Sequence, residues 1–524
     1  MISIHFSHEK NTKNRPIEHG NSFLKDYQNL TDQILKSNTH LAWACSNLLC
    51  RHKTISRLPK LLLEKYSYSP SLQEKIKGIK VNIRGTISIF CRVTTTSIRK
   101  FYATFHLRKN FKTFKKIKRK PLYVLQSFVS QTSFSSHTYE EYYFKNLSQF
   151  LEPHFTLLHV VHIDVTYRKS IQNILKTQNI NIFPIEFFLT YKEIILAAFQ
   201  IIFLKKLKGD FYFKNTNVTR LIQNEFHHTY KGHISYIQYL FFFAIQNLAK
   251  ILDIHTFLMP YEGMPRERMC TKALKMFSPQ TRIFGYQHSV LSQASTGMFA
   301  TQYEINSGLI PDKIITTGEE PQNILKSNGQ FSNTPFHIGG ALRFQHLFKN
   351  KKNFPRTYTK KILVLLQDMP QLDMMLHYLS EQKLEEKGYF LYLRPSPAVL
   401  KNPDQSHLLK KYRLFFKISP HLNFLDDIKA YDMVIYWETT AALEALWYGK
   451  PLIHFDSNHI FSYDPLFRCS FLKWTIGQNQ KIISTIEEIY QIDHFEFLKL
   501  QIKAREYLSN YLVRPSSIKR QAFL

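Results

Sequence analysis

From about Phe336 onward the chain alternates short apolar runs with helical patterns, and that alternation limits its fold more than any other feature. The runs Lys361–Leu366, Tyr389–Leu393, Arg413–Ile418, Met433–Tyr436 and Leu452–Phe455 read as strands, and helical patterns separate most of them. A strand, a helix and a second strand in succession make a βαβ unit, and such units assemble into a parallel sheet. Thr485–Leu512 reads as one or two closing helices. Residues 121–310 have the same character, with strands at Thr156–Val161 and Thr256–Pro260 and helices at Lys192–Lys205 and Ser235–Ile251. Arg282-Ile-Phe-Gly-Tyr-Gln-His-Ser reads as a further strand running into a loop, and Ile310-Pro-Asp-Lys-Ile-Ile-Thr-Thr-Gly as the last strand of that lobe.

A chain of 524 residues is too long for one core. The expected division is a basic extension over 1–120, an α/β lobe over 121–335 on the acceptor side, and a nucleotide-binding α/β lobe with closing helices over 336–524. The formal net charge of +31 is uneven: Arg51–Lys120 holds 20 Lys and Arg against two acids, a net of +18. Such concentration points to an anionic partner, either nucleic acid, a phospholipid surface or a lipid pyrophosphate. Within it, Ala103, Leu107, Phe111 and Phe114 recur at helical spacing, with Arg108, Lys109, Lys112, Lys115, Lys116 and Arg119 largely on the other face. Phe101–Lys120 is therefore expected as a basic amphipathic helix, either lying on an acidic membrane or covering the core with its Phe stripe.

Five scattered cysteines (Cys45, Cys50, Cys91, Cys270 and Cys469) form no C-x-x-C pair and no disulfide framework, which suits a reducing compartment. The first ten residues lack an apolar core behind a basic start, so no signal peptide is expected. The apolar stretches Ile194–Leu204 and Tyr239–Ile245 fall short of the roughly 20 residues a spanning helix needs. The expected location is the cytoplasm, including the inner face of its membrane.

The block from Asp432 to Phe455 carries the sharpest local signal. A strand ends at Tyr436, Thr439 and Thr440 open a helix, Gly449 closes it, Pro451 blocks its continuation, and another strand follows. Ligands of open α/β sheets lie outside the carboxyl ends of the strands, where helix N-termini turn free N–H groups toward phosphate. Thr439 and Thr440 add hydroxyls there, and Glu444, one turn on, suits a ribose hydroxyl. The plain alternative is that one threonine only caps the helix. A capping box, however, wants its Glu three residues after the cap, and Glu444 is four or five residues on. In Tyr389-Phe-Leu-Tyr-Leu-Arg-Pro-Ser-Pro a strand delivers Arg394 and Ser396 to the same edge. Arg394 there is either a clamp for a diphosphate or a surface charge.

The third constellation is Pro260-Tyr-Glu-Gly-Met-Pro-Arg-Glu-Arg followed by Gly285-Tyr-Gln-His-Ser. A carboxylate in a glycine turn after a strand suits a general base, which makes Glu262 the candidate, with His288 to assist proton transfer or hold a phosphate oxygen. The bland reading of Glu262 is an acid favoured by the helix dipole. Glu267, between Arg266 and Arg268, is expected to be held ionised by charge pairing. No tight Asp/His cluster has metal-ligand spacing, so no metal and no cofactor are expected.

The C-terminal half resembles the nucleotide-binding lobe of GT-B glycosyltransferases: a strand, a Ser/Thr turn, a helix bearing Glu and a closing Gly-Lys-Pro, here Trp437-Glu-Thr-Thr-Ala-Ala-Leu-Glu-Ala-Leu-Trp-Tyr-Gly-Lys-Pro. The chain is also similar to a family of surface carbohydrate biosynthesis proteins encoded with O-antigen or capsule genes. That similarity rests on Tyr261-Glu-Gly-Met-Pro-Arg-Glu-Arg, Gly285-Tyr-Gln-His-Ser, Leu309-Ile-Pro-Asp-Lys-Ile and Gly340-Ala-Leu-Arg-Phe. Leu41-Ala-Trp-Ala-Cys-Ser-Asn-Leu-Leu and Ser133-Phe-Ser-Ser-His-Thr-Tyr-Glu-Glu-Tyr-Tyr extend it toward the N-terminus. The acidic glycine turn distantly resembles bacterial sialic-acid-polymerising transferases, although Arg394-Pro395 stands where those carry His-Pro.

The resemblance implies a GT-B-like α/β fold, two Rossmann-like lobes facing a cleft, with the basic extension in front. It implies a metal-independent glycosyltransferase whose nucleotide-sugar is a substrate, held by Arg394, Ser396, Thr439, Thr440 and Glu444. The acceptor is then a surface polysaccharide or its lipid-linked precursor, deprotonated by Glu262 with His288 beside it. Two rivals stand: a nucleotide-sugar epimerase of the same fold, and a basic protein that binds nucleic acid or a membrane surface without catalysis. The second gives no reason for Glu444 or the threonine pair, and no specific nucleic acid is expected.

Overall fold

The computed structural model describes residues 15–38, 58–64, 72–117, 120–130, 133–135, 138–163, 165–177, 181–203, 207–230, 233–349, 354–369, 371–457 and 460–524. The Leu41–Leu49 segment, Cys45 and Cys50 lie outside them. The chain collects into two compact units rather than three parts. Of the described residues, the larger holds those within Leu24–His288, Thr296–Arg343 and Val513–Leu524, and the smaller those within 15–23, Ser289–Ser295 and Phe344–Leu512.

The larger unit is built on a seven-stranded parallel sheet: β1 (Leu122–Val129), β2 (Thr156–Ile163), β3 (Ile182–Pro184), β4 (Ile254–Pro260), β5 (Arg282–Tyr286), β6 (Lys313–Thr316) and β7 (Phe336–Ile338). Their spatial order is β7-β6-β5-β4-β1-β2-β3. The central strands are buried along nearly their whole length, so they read as unbroken apolar runs rather than alternating ones. The helices α1 (Leu72–Ile117), α2 (Tyr191–Ile202), α3 (His233–Ile251) and α4 (Pro265–Phe277) belong to this unit. The chain end returns to it: Val513 N–H donates to Thr317 O at 2.9 Å, and the Tyr123 hydroxyl donates to Phe523 O at 2.9 Å. Phe523 thereby joins a core with Tyr123, Leu125, Phe144, Leu258 and Tyr286.

The basic segment is thus no separate extension. Of the helix expected over Phe101–Lys120, Phe101–Ile117 is the last part of α1, residues 118 and 119 lie outside the described ones, and the stripe is used for packing: Ala103, Leu107 and Phe114 are buried. The Phe111 ring lies 5.2, 5.1 and 5.7 Å from those of Phe183, Phe187 and Phe188. Of the two readings of that stripe, the covering of the core is the one realised.

The smaller unit carries a six-stranded parallel sheet: β8 (Lys361–Leu366), β9 (Phe390–Pro395), β10 (Lys417–Ile418), β11 (Met433–Tyr436), β12 (Leu452–Asp456) and β13 (Lys473–Gly477), in the order β10-β9-β8-β11-β12-β13. Only Lys417–Ile418 of the run expected at Arg413–Ile418 enters the ladder. Its helices include α5 (Phe424–Ala430) and α6 (Ala441–Trp447). Ile362, Val364, Ile435, Ile453 and Phe455 form the centre of its core. Both units are Rossmann-like α/β layers, the class the strand–helix alternation requires.

In each sheet the chain lays strands outward in one direction, then returns to the middle and builds the other way. The reversal falls between β1 and β4 in the larger unit and between β8 and β11 in the smaller. At such a switch point the two following loops diverge to opposite faces and leave a crevice beyond the carboxyl ends of the strands.

Candidate active site

Glu262 lies two residues past β4, at the switch point of the larger sheet. Its backbone is shaped by Gly263, which sits at φ +72°, where a Cβ would lie 2.2 Å from the Gly297 carbonyl group. Only glycine fits both the left-handed conformation and that approach. The next turn starts α4, with Pro265 in its first turn. Buried Glu267 reaches back to accept from the N–H groups of Glu262, Gly263 and Met264 at 2.9, 2.8 and 3.1 Å. Burial pushes its carboxyl up to about 8. The expected charge pairing of Glu267 is not what the structure holds. Arg266 instead donates to Glu262 Oε2 at 3.1 Å, and Arg268 pairs with buried Glu304 at 2.8 Å. The bland role first considered for Glu262, an acid at the helix start, thus falls to Glu267, and the Glu262 side chain is turned to other partners.

The group around Glu262 draws on several other segments of the same unit. His288, two residues past β5 and buried, places Nε2 3.3 Å from Glu262 Oε1. Arg343 donates to His288 Nδ1 at 3.0 Å, which leaves the imidazole proton on Nε2. That Nε2 has no aligned acceptor among the described residues. Burial pushes His288 down to about 4 against the pull of Glu262, and Arg343 and Arg266 add to the effect of burial. The ring is therefore neutral at pH 7 and offers an N–H rather than a charge. Tyr143 lies against it with ring centres 4.2 Å apart, and Arg343 also donates to the Tyr142 hydroxyl at 3.2 Å. Arg266 completes the group over the Phe128 ring, 4.3 Å from its centre.

Sequence reasoning named Glu262 and His288 here and missed Arg343, Arg266, Tyr142 and Tyr143 as members. Arg343 is aimed by the turn before it. Gly340 sits at φ +86°, Leu342 N–H donates to the Tyr286 hydroxyl at 3.0 Å, and that hydroxyl donates to Gly340 O at 2.8 Å. The two tyrosines are set by buried Glu141, which accepts from the Ser127 hydroxyl and the Phe144 N–H. Burial pushes the Glu141 carboxyl up to about 7.

In the smaller unit, Thr439 and Thr440 follow β11 at the second switch point. They divide the work: Thr439 Oγ1 accepts from Ala441 N–H at 3.2 Å, whereas the Thr440 side chain makes no capping bond. Gly449 closes the helix at φ +78°, as its sequence signal requires. Glu444, half-buried on the first turn of α6, has Oε2 3.0 Å from Nε2 of exposed His346, a neighbour the sequence does not announce.

Arg394 and Ser396 stand differently. Arg394 is the next-to-last residue of β9, which lies beside β8 on the side away from β11. It donates to the carbonyls of His421 and Leu422 at 3.1 Å each and is paired with Asp427, wholly buried on α5. This guanidinium holds the 421–427 segment through these contacts. Ser396 Oγ accepts from Val399 N–H at 3.4 Å and caps the helix Pro397–Lys401. A cavity of about 350 Å³ in this unit, lined in part by Tyr389, Phe390 and Lys417, opens at the amino-terminal edge of the sheet, away from the switch point. Among the described residues no group of three or more His, Cys, Asp or Glu is placed to hold a metal ion, and no helix is long and apolar enough to cross a membrane.

No protein-family model and no curated protein matches this chain. Similar solved structures include the S. aureus MnaA–UDP co-structure, at 12% identity over 76% of this chain and 94% of that one, TM-score 0.43. TarM matches at 11% identity over 77% and 98% of the two chains, TM-score 0.42. CalG4, the calicheamicin glycosyltransferase, matches at 12% identity over 78% and 98%, TM-score 0.41.

Proposed function

We propose that the chain is a GT-B-type glycosyltransferase that moves a sugar from a nucleotide-sugar to a surface polysaccharide or its lipid-linked precursor. The observation that supports this most is the placement of one reactive group at each switch point. In the smaller unit, uncapped Thr440 and half-buried Glu444 offer a hydroxyl and a carboxylate beyond β11, which suits a phosphate and a ribose. In the larger unit, Glu262 is a carboxylate oriented by Arg266 and flanked by the neutral N–H of His288. In the proposed step Glu262 takes the proton of the acceptor hydroxyl as that oxygen bonds to the anomeric carbon. The bond from that carbon to the nucleotide oxygen breaks, and the nucleotide leaves with the electron pair. Arg343 fixes the ring and tautomer of His288, so His288 donates to substrate oxygen rather than competing for the proton. The likeness to sialic-acid-polymerising transferases adds nothing, because Arg394 replaces the histidine of their motif and is engaged by Asp427.

Thermal-shift titration with a panel of nucleoside mono- and diphosphates tests the donor half, since a ligand bound only by the folded state raises apparent stability. One nucleotide is expected to raise the melting temperature of the parent and to lose that effect in Glu444→Ala. If no nucleotide stabilises the parent, the reading fails. A product epimerised at the sugar, formed without any acceptor, assigns the fold to the epimerase alternative instead.

A further inference from the structure

The helix α1 is 46 residues long, roughly 69 Å at 1.5 Å per residue, and it has two apolar faces. One, with Ile89, Thr96, Ala103, Leu107 and Phe114, is buried in the larger unit. The other is exposed: Ile87, Phe90, Ile98, Phe101 and Phe105 are each 58–71% accessible. Their spacings, with exposed Thr94 between, follow the three-and-four step of one helical stripe, directly opposite the buried one. Continued toward the C-terminus, the same stripe changes from rings to cations: Arg108, Lys109, Lys112 and Lys116 are all exposed. The helix α2 packs alongside α1 and repeats the pattern. Ile194, Ala197 and Ile201 are buried, while Tyr191, Ile195, Phe199 and Phe203 face outward. Lys100 of α1 lies 5.9 Å from the centre of the Tyr191 ring, and the Phe199 and Phe203 rings stack at 5.5 Å. A groove of about 440 Å³ runs beside Ile98 and Phe101, with Arg99 and Arg168 in its wall.

We infer that α1 and α2 form a platform that docks the larger unit onto a membrane rich in anionic phospholipid. A soluble surface does not keep a continuous band of Phe and Ile in water without a use for it. The cations that continue the band match the headgroup layer, while its rings and aliphatic side chains match the acyl boundary just below. Charge complementarity selects the occupant, because the segment Arg51–Lys120 carries a net +18. A nucleic acid would use the cations and the rings but has no use for Ile87, Ile98 and Ile195. This platform is not the Phe stripe read from the sequence. That stripe is buried, and the exposed one lies on the opposite side of the same helix. The inference does not depend on the transferase reading, since it concerns binding alone.

The test is co-sedimentation of the full chain with vesicles of phosphatidylglycerol and phosphatidylethanolamine, beside vesicles of phosphatidylcholine only. The parent is expected to pellet with the anionic vesicles and to stay largely in solution with the neutral ones. Lys112→Glu with Lys116→Glu is expected to weaken binding at least about 30-fold at low salt. That difference should vanish near 1 M salt, where the screening length is about 3 Å. Phe101→Ser with Phe105→Ser is expected to weaken binding about tenfold or more at either salt concentration, with the melting temperature kept because both rings are exposed. A parent that ignores anionic vesicles, or a Phe101→Ser/Phe105→Ser protein that binds as the parent does, overturns the inference. So does a dimer in sedimentation velocity that the same two substitutions dissolve, since the platform is then covered by a second copy.

Discussion

The two switch points are alike in topology and opposite in preparation. In the larger unit the crevice is already furnished: Glu262 is held by Arg266, His288 is fixed by Arg343, and the tyrosines behind them are anchored through buried Glu141. In the smaller unit the equivalent place is less furnished among the described residues: the Thr440 side chain makes no capping bond, and Glu444 meets an exposed histidine. The difference fits a division of labour. Proton transfer needs a base set within fractions of an ångström before substrate arrives. In the proposed function a nucleotide brings its own charge and rigidity, so a hydroxyl and a carboxylate at the second switch point are enough to receive it.

The sharpest way to break that comparison is to neutralise the base. Glu262→Gln should lose about 10²–10⁴ in single-turnover transfer rate, the usual contribution of a positioned base. The furnishing of the larger site should also be costly to disturb. Gly263→Ala should destabilise the unit by roughly 2–4 kcal/mol in denaturant unfolding, combining left-handed strain with the overlap on Gly297. An equally stable Gly263→Ala protein would show that the turn is not tightly packed. In the smaller unit the opposite pattern is expected. Glu444→Ala should weaken nucleotide binding by roughly 10–100-fold in calorimetric titration, the range for losing a hydrogen bond to a charged group, with stability unchanged.

The imidazole of His288 gives a subtler contrast. Its folded value of about 4 lies below the ordinary 6.5, so between those values the unfolded chain binds a proton that the folded unit refuses. Stability should therefore be intact above pH 6.5 and fall as pH drops toward 4, by at most about 1.4 kcal/mol per pH unit from this group. Buried His159, also held down to about 4, acts in the same direction. His288→Gln should flatten the slope between pH 6.5 and 4, and an unchanged slope would assign it to other groups. The smallest effect separates the two threonines. Thr439→Ala should cost about 1 kcal/mol as a lost helix cap, whereas Thr440→Val should leave stability alone and weaken nucleotide binding.

Much of this was legible before any coordinates. Lys361–Leu366 and Met433–Tyr436 are strands to the residue, because each is an apolar run bounded by turn or polar residues. Glu262, His288 and the threonine pair stand where the sequence puts them, each just past a strand. What local pattern does not carry is the identity of partners far along the chain. Arg394 reads as a clamp for diphosphate or a surface charge, and nothing near it announces its pairing with Asp427, 33 residues on. Arg343 was visible in Gly340-Ala-Leu-Arg-Phe, yet nothing nearby says that its fork reaches His288, 55 residues away. The central strand Leu122–Val129 was missed because Gln126 and Ser127 break its apolar run, although both are buried. In α1 the periodic stripe was read correctly, and its use was decided by a neighbour, the Phe183–Phe188 cluster.

The most direct test of the account sets two numbers side by side for the Glu262→Gln protein: its nucleotide dissociation constant and its single-turnover transfer rate. The division of labour predicts a dissociation constant equal to the parent's and a rate lower by about 10²–10⁴. A rate close to the parent's, or a loss explained entirely by weaker nucleotide binding, would contradict it.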